Sequence, residues 1–77
     1  MARPRLKSSD LLTHLGLRVR KLRKQREWTQ VEMAERLGLD RSFLAELERG
    51  KTNLSLLTLD TIARGFGISL SRILSGL

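Results

Sequence analysis

The sequence predicts an all-α domain of five short helices. Apolar residues recur at intervals of three and four along the chain, and no apolar/polar alternation with β-branched residues runs long enough to make a strand. The pattern is also cut at glycines, each followed by a short polar residue able to cap a new helix. The cut that most needs a reason lies in "QVEMAERLGLDRSFLAELERGK", Gln30 to Lys51, where Gly38 and Asp40 interrupt a stretch otherwise apolar at every helical turn. A glycine inside a helix costs about 1 kcal/mol against alanine, so Gly38 reads as a stop.

The first helix is expected to begin near Ser9 or Asp10, both competent N-caps, with Leu11, Leu15, Val19 and Leu22 on its inner face. Thr29 and Glu32 fit the T-x-x-E capping box that opens a second helix, whose inner residues are Met33, Ala34 and Leu37 and whose left-handed stop is Gly38. Asp40 caps a third helix with Leu44 and Leu47 inside and Gly50 closing it. Ser55 caps a fourth with Leu56, Leu59, Ile62, Ala63 and Phe66 inside, ending around Gly65 and Gly67. Ser69 opens a short fifth carrying Leu70, Ile73, Leu74 and Leu77. Residues 1–9, with Pro4 and three cations, read as a flexible basic arm, and 10–77 as one domain.

In a chain of 77 residues without cysteine, packing must supply the stability, shared in part with a second subunit. No apolar run approaches the roughly 18 residues of a membrane span, and the basic start lacks the apolar region of a signal peptide. A cytoplasmic protein without membrane contact is expected. The formal charge is +7, and nine of the fifteen Lys and Arg residues precede Glu27, opposed there only by Asp10. Such an excess points to a polyanionic partner, but an isolated charge run is more often a solvated helix face, so charge alone decides nothing.

The break at Gly38 is more specific. Two short helices joined by a tight glycine turn, with Ala34 at their crossing and Asp40 opening the second, are the parts of a helix-turn-helix. Such a unit presents a helix end to the major groove. From there the sequence resembles the phage-repressor type of helix-turn-helix domain, the Cro/C1 or Xre family, over about Leu17 to Leu74. The residues that carry the resemblance are Thr29, Gln30, Ala34, Gly38, Leu47, Glu48, Gly50, Ile62, Ala63 and Gly67. It implies a compact five-helix, phage-repressor-like fold, double-stranded DNA as partner, and a homodimer on a two-fold symmetric operator. Within the family, "LDRSFLAELERGKTNLSLLTLDTIA" is most similar to the small controller proteins of restriction-modification systems, with Phe43 standing where those proteins commonly have tyrosine. The resemblance extends to stand-alone regulators and to antitoxins of toxin-antitoxin pairs, which bind a toxin and regulate their own operon.

Counting from Asp40, the face opposite Leu44 and Leu47 carries Arg41, Ser42, Ala45 and Glu46, the candidates for base readout. Arg41 leads, because a guanidinium can grip guanine O6 and N7 together; Glu46 can accept from cytosine N4 or act as a spacer. Phosphate contacts are expected from Gln30, at the amino end of the second helix, and from Arg49, Lys51, Thr52 and Asn53 after the third. Arg23 and Glu48 correspond, by the resemblance, to a buried bridge between the first and third helices. A dimer contact is expected from Leu57, Leu70, Ile73, Leu74 and Leu77.

An enzyme is disfavoured. The one histidine, His14, sits on a basic amphipathic helix, there is no cysteine, and no carboxylate cluster has metal-ligand spacing. No cofactor is implied, and nothing in the sequence assigns a contact to RNA polymerase.

Overall fold

The computed structural model describes residues 8–77, which form α1 (Ser8–Gln25), α2 (Gln30–Leu37), α3 (Arg41–Glu48), α4 (Leu56–Gly65) and α5 (Leu70–Leu74), with no strand among them. The expected arm over residues 1–9 lies almost wholly outside the described residues; α1 takes in Ser8 and Ser9.

The starts of α2 to α5 each have a chemical cause, whereas Ser9 and Asp10, expected to cap the first helix, lie inside α1. The Thr29 hydroxyl accepts from the Glu32 N–H at 3.0 Å, and the Glu32 carboxylate accepts from the Thr29 N–H at 3.0 Å, completing the capping box. Hydrogen bonding to Thr29, from its backbone N–H first and its side chain second, holds the Glu32 carboxyl below its ordinary range. Gly38 stands at φ 69°, a left-handed conformation that a side chain would strain, and the Leu39 N–H then reaches back to the Ala34 carbonyl at 2.9 Å. Asp40 starts α3 by accepting from the Ser42 N–H at 2.7 Å and the Phe43 N–H at 3.4 Å. Ser55 and Ser69 cap α4 and α5 in the same manner.

The core draws on every helix: Leu15 and Val19 from α1, Met33 and Ala34 from α2, Leu44 and Leu47 from α3, Leu59, Ile62 and Ala63 from α4, Phe66 just after it, and Ile73 from α5. Two residues expected inside are not. Leu11 is 42% exposed and Leu56 64% exposed, because each occupies an early turn that projects past the packed centre of its helix. Ile73 is corrected in the opposite direction: it is fully buried within the chain, so it stabilises the monomer and offers nothing to a partner. Leu70 and Leu77 are half-buried against the same core.

Just ahead of α2, the chain is pinned by an aromatic stack. Trp28 lies on Phe66 with ring centroids 5.6 Å apart and planes 16° from parallel. The Arg36 guanidinium covers Trp28 at 5.0 Å, and Arg26 covers Phe66 at 5.7 Å while donating to the Phe66 carbonyl. Trp28 is thus a structural staple. At the other end Arg18 donates to the carbonyls of Arg72 and Ile73, at 3.4 and 3.3 Å, closing the C-terminal end of α5.

α1 lies close against α3 at Gly16, where an added Cβ would lie 2.4 Å from the Leu47 carbonyl oxygen and 2.8 Å from that of Glu48. The obstacle is backbone, which cannot swing aside. Gly16→Val should therefore cost roughly 1–3 kcal/mol as overpacking and lower the melting midpoint by several degrees in a domain of this size. Circular dichroism during heating reads the shift, and an unchanged midpoint would show that the two helices are not held this close.

Candidate nucleic-acid interface

The α2-turn-α3 unit is held from behind by a buried carboxylate. Glu48 Oε2 accepts from Arg23 Nε at 2.7 Å and Oε1 from Arg23 Nη2 at 2.9 Å, a two-point bridge with side chains 11% and 3% exposed for Arg23 and Glu48. Arg23 Nη1 donates to the Trp28 carbonyl at 2.8 Å, and Gln30 Nε2 donates to Glu48 Oε1 at 3.2 Å. One carboxylate thereby fixes the end of α1, the entry to α2 and the last turn of α3. The hydrogen bond to Glu48, with its charge as a lesser cause, raises the Arg23 pKa against the opposing effect of burial. No buried side-chain nitrogen or oxygen among the described residues lacks a partner.

On the outer side, Arg41 and Ser42 are exposed at the start of α3, and Ala45 and Glu46 are half-buried behind them. The four share one stripe of the helix, opposite Leu44 and Leu47. Gln30 is half-buried, and its amide is engaged by Glu48, leaving one side-chain N–H uncommitted. After α3, the Gly50 N–H bonds the Leu47 carbonyl at 3.0 Å and the Lys51 N–H bonds the Glu46 carbonyl at 2.9 Å, which sets the backbone on which Arg49 and Lys51 project. Arg49 and Lys51 are exposed, with Arg49 Nη1 donating to Glu46 Oε1 at 3.2 Å. Thr52 is half-buried, its hydroxyl donating to the Asn53 carbonyl at 3.2 Å, and the Asn53 side chain is exposed.

The expected dimer residues divide. Leu57 is 82% and Leu74 38% exposed, and Leu74 lines an open groove of about 420 Å³ whose other walls include Leu11, Leu12, Leu54 and Leu56. Leu11 and Leu56, assigned to the interior by periodicity, thus join this apolar surface. Sequence reasoning also missed Gly16, although a glycine in mid-helix carries the same cost that singled out Gly38. It missed the Gln30–Glu48 bond as well, for which only fold geometry gives a signal.

A helix capped by aspartate, presented by a left-handed glycine turn and braced through a buried ion pair, defines a helix-turn-helix domain. Residues 19–73 match the helix-turn-helix family HTH_3, the Cro/C1 type, and the chain belongs to that DNA-binding family. The chain is 46% identical over 59 residues to the immunity repressor protein of Bacillus phage phi105, a match covering 77% of this chain and 41% of the repressor. It is 37% identical over 68 residues to control protein C.MunI of a Mycoplasma species, covering 87% of this chain and 92% of that protein. Among solved structures it superposes on the restriction-modification controller protein C.AhdI from Aeromonas hydrophila with a TM-score of 0.76 and 36% identity, over 82% of this chain and 94% of that one. The chain spans about two fifths of the phage repressor's length.

Glu48→Ala should leave the Arg23 charge buried without its partner, a loss of about 3–5 kcal/mol. Apolar replacement of both, Arg23→Met with Glu48→Leu, should recover most of it. Urea unfolding of the two variants checks the pair of outcomes; a mild effect of Glu48→Ala would mean the bridge is solvated.

Proposed function

We propose that the chain is a sequence-specific transcriptional regulator that binds double-stranded DNA as a homodimer on a palindromic operator. The observation that carries this reading is the open face at the start of α3, Arg41 and Ser42 with Ala45 behind them, on a helix whose opposite side is locked into the core. In this reading Arg41 grips guanine O6 and N7 from the major groove, and Ala45 meets a thymine methyl. Ser42 can bond a base or a phosphate. The free side-chain N–H of Gln30 and the α2 amino end suit one phosphate, and Arg49, Lys51, Thr52 and Asn53 suit the next stretch of backbone.

Dimerisation is supported by exposed Leu56 and Leu74 in the groove and by exposed Leu57, next to Leu56 in the chain. Leu70 and Leu77 keep part of their surface open, whereas Ile73 takes no part. A two-fold contact here would place two recognition helices about 34 Å apart, one turn of B-DNA, and so require a palindromic site. Among the kinds of regulator in the family, a restriction-modification controller is supported by the likeness to C.MunI, 37% identical over 87% of this chain, and to C.AhdI, 36% identical over 82% of it. A nuclease or methyltransferase gene beside this one would support that role; a small toxin gene would support an antitoxin.

Selection of bound sites from random duplexes should return a palindrome. On such a site, Arg41→Ala should cost about 1–3 kcal/mol per half-site and relax preference at one base pair in each half, read by binding to operator and scrambled duplexes. Equal weakening of both duplexes would make Arg41 a phosphate ligand. Sedimentation should show dimer at tens of micromolar (roughly the range where weak dimers appear), and Leu57→Glu should convert it to monomer. Monomer alone, with or without operator, would contradict the assembly.

A further inference from the structure

We infer that Glu46 is a specificity determinant that acts through Arg49, withholding the arginine from phosphate on a wrong duplex and releasing it on the right one. The inference rests on the DNA-binding reading of α3 and deepens it.

Glu46 Oε1 and Arg49 Nη1 are 3.2 Å apart, one turn of α3 from each other, with side chains 47% and 67% exposed. Both project from the stretch already assigned to DNA. Their backbone is set independently of the pair by the bonds that close α3, from Gly50 to Leu47 and from Lys51 to Glu46. Glu46 differs from the other carboxylates at this helix: Asp40 is committed to two backbone N–H groups and Glu48 to Arg23 and Gln30. It is the one carboxylate that α3 turns toward the solvent side, among Arg41, Arg49 and Lys51.

The two side chains have different sets of partners on a duplex. Arg49 engages Glu46 through one Nη1 N–H, and while it does so its charge is matched by the carboxylate rather than by a phosphate, although its other N–H groups stay open. A carboxylate is repelled by phosphate and has one kind of favourable partner there, a base amino group such as cytosine N4 or adenine N6. On a duplex without that amino group in reach, moving Arg49 to a phosphate strands Glu46 unpaired beside a polyanion. The pair then persists, its net charge is zero, and no phosphate is neutralised. Where the amino group is present it replaces Arg49 on Glu46, and Arg49 reaches the backbone. Base contact and phosphate contact therefore favour one another. Exposed ion pairs of this kind are worth a factor of about 1.4–5 each, so two copies in a dimer multiply to a measurable discrimination.

The test compares the wild type, Glu46→Gln, Arg49→Ala and the double variant on a duplex selected from a random pool and on its scrambled version, at several salt concentrations. Because both side chains are exposed, melting midpoints should stay close to wild type, which separates binding from folding. Arg49→Ala should weaken the selected duplex about tenfold and lower its salt slope by roughly two units per dimer, while changing the scrambled duplex less than about twofold. Glu46→Gln keeps an acceptor for the base but drops the charge. It should tighten the scrambled duplex about fivefold and add roughly two units to its slope, narrowing the gap between duplexes. In the Arg49→Ala background, Glu46→Gln should lose most of that effect. If Arg49→Ala instead weakens both duplexes equally, with equal loss of slope, Arg49 is an unconditional clamp and the inference is overturned. It is equally overturned if Glu46→Gln tightens both duplexes alike whether or not Arg49 is present, since that is bulk charge alone. A wild type that retains no duplex from the pool is a different failure: the DNA-binding reading falls, and this inference with it.

Discussion

The arrangement depends on the carboxylate of Glu48. It lies inside the domain, bridged at two points by Arg23 and touched by the Gln30 amide, while Arg23 spans to the Trp28 carbonyl. These contacts join the end of α1 to the entry of α2 and the exit of α3. A buried pair of this kind adds little net stability against an apolar replacement, yet losing one partner is costly. Its value here is geometric: it sets where two short helices sit relative to a long one, and with it the orientation of the face that α3 turns outward.

Close packing enforces the same geometry. α1 comes so near α3 at Gly16 that no side chain fits between them, and Ala34 is 5% exposed between α2 and its neighbours. With Gly16, Val19 and Arg23 turned toward the interior, the helical period places Arg20, Lys21 and Lys24 on the outer side of α1, around exposed Leu17. Several other cations are engaged within the chain: Arg18 on α5 carbonyls, Arg26 and Arg36 on the aromatic stack, Arg64 on Asp60. The net charge of +7 is therefore a poor guide to where a duplex would lie. The turn at Gly38 is a better one.

The order of the helices, the caps of α2 to α5 and most of the core were legible in the sequence, because each depends on local chemistry. The Thr29–Glu32 box, the Asp40 cap and the Gly38 stop are decided within four residues of chain. What the sequence hid depends on distance in space. Periodicity placed Leu11 and Leu56 inside, but only packing reveals that their turns overhang the core and open the groove. Ile73 looked available for a partner because α5 is short and apolar, yet it is the residue that seats α5 on the domain. In the candidate interface, the exposure of Arg41 and Ser42 followed from counting positions after Asp40. The engagement of Gln30 by Glu48 did not, since the two residues meet only once α2 and α3 have crossed.

The central claim is that the braced turn, rather than the basic length of α1, presents the chain to DNA. Titration of the isotope-labelled protein with a selected duplex, followed by amide chemical shifts, tests it most directly. The account predicts the largest changes at Gln30, Val31, Arg41, Ser42 and Ala45, with small ones at Arg20, Lys21 and Lys24. The largest changes on that outer face of α1, with α3 undisturbed, would contradict it.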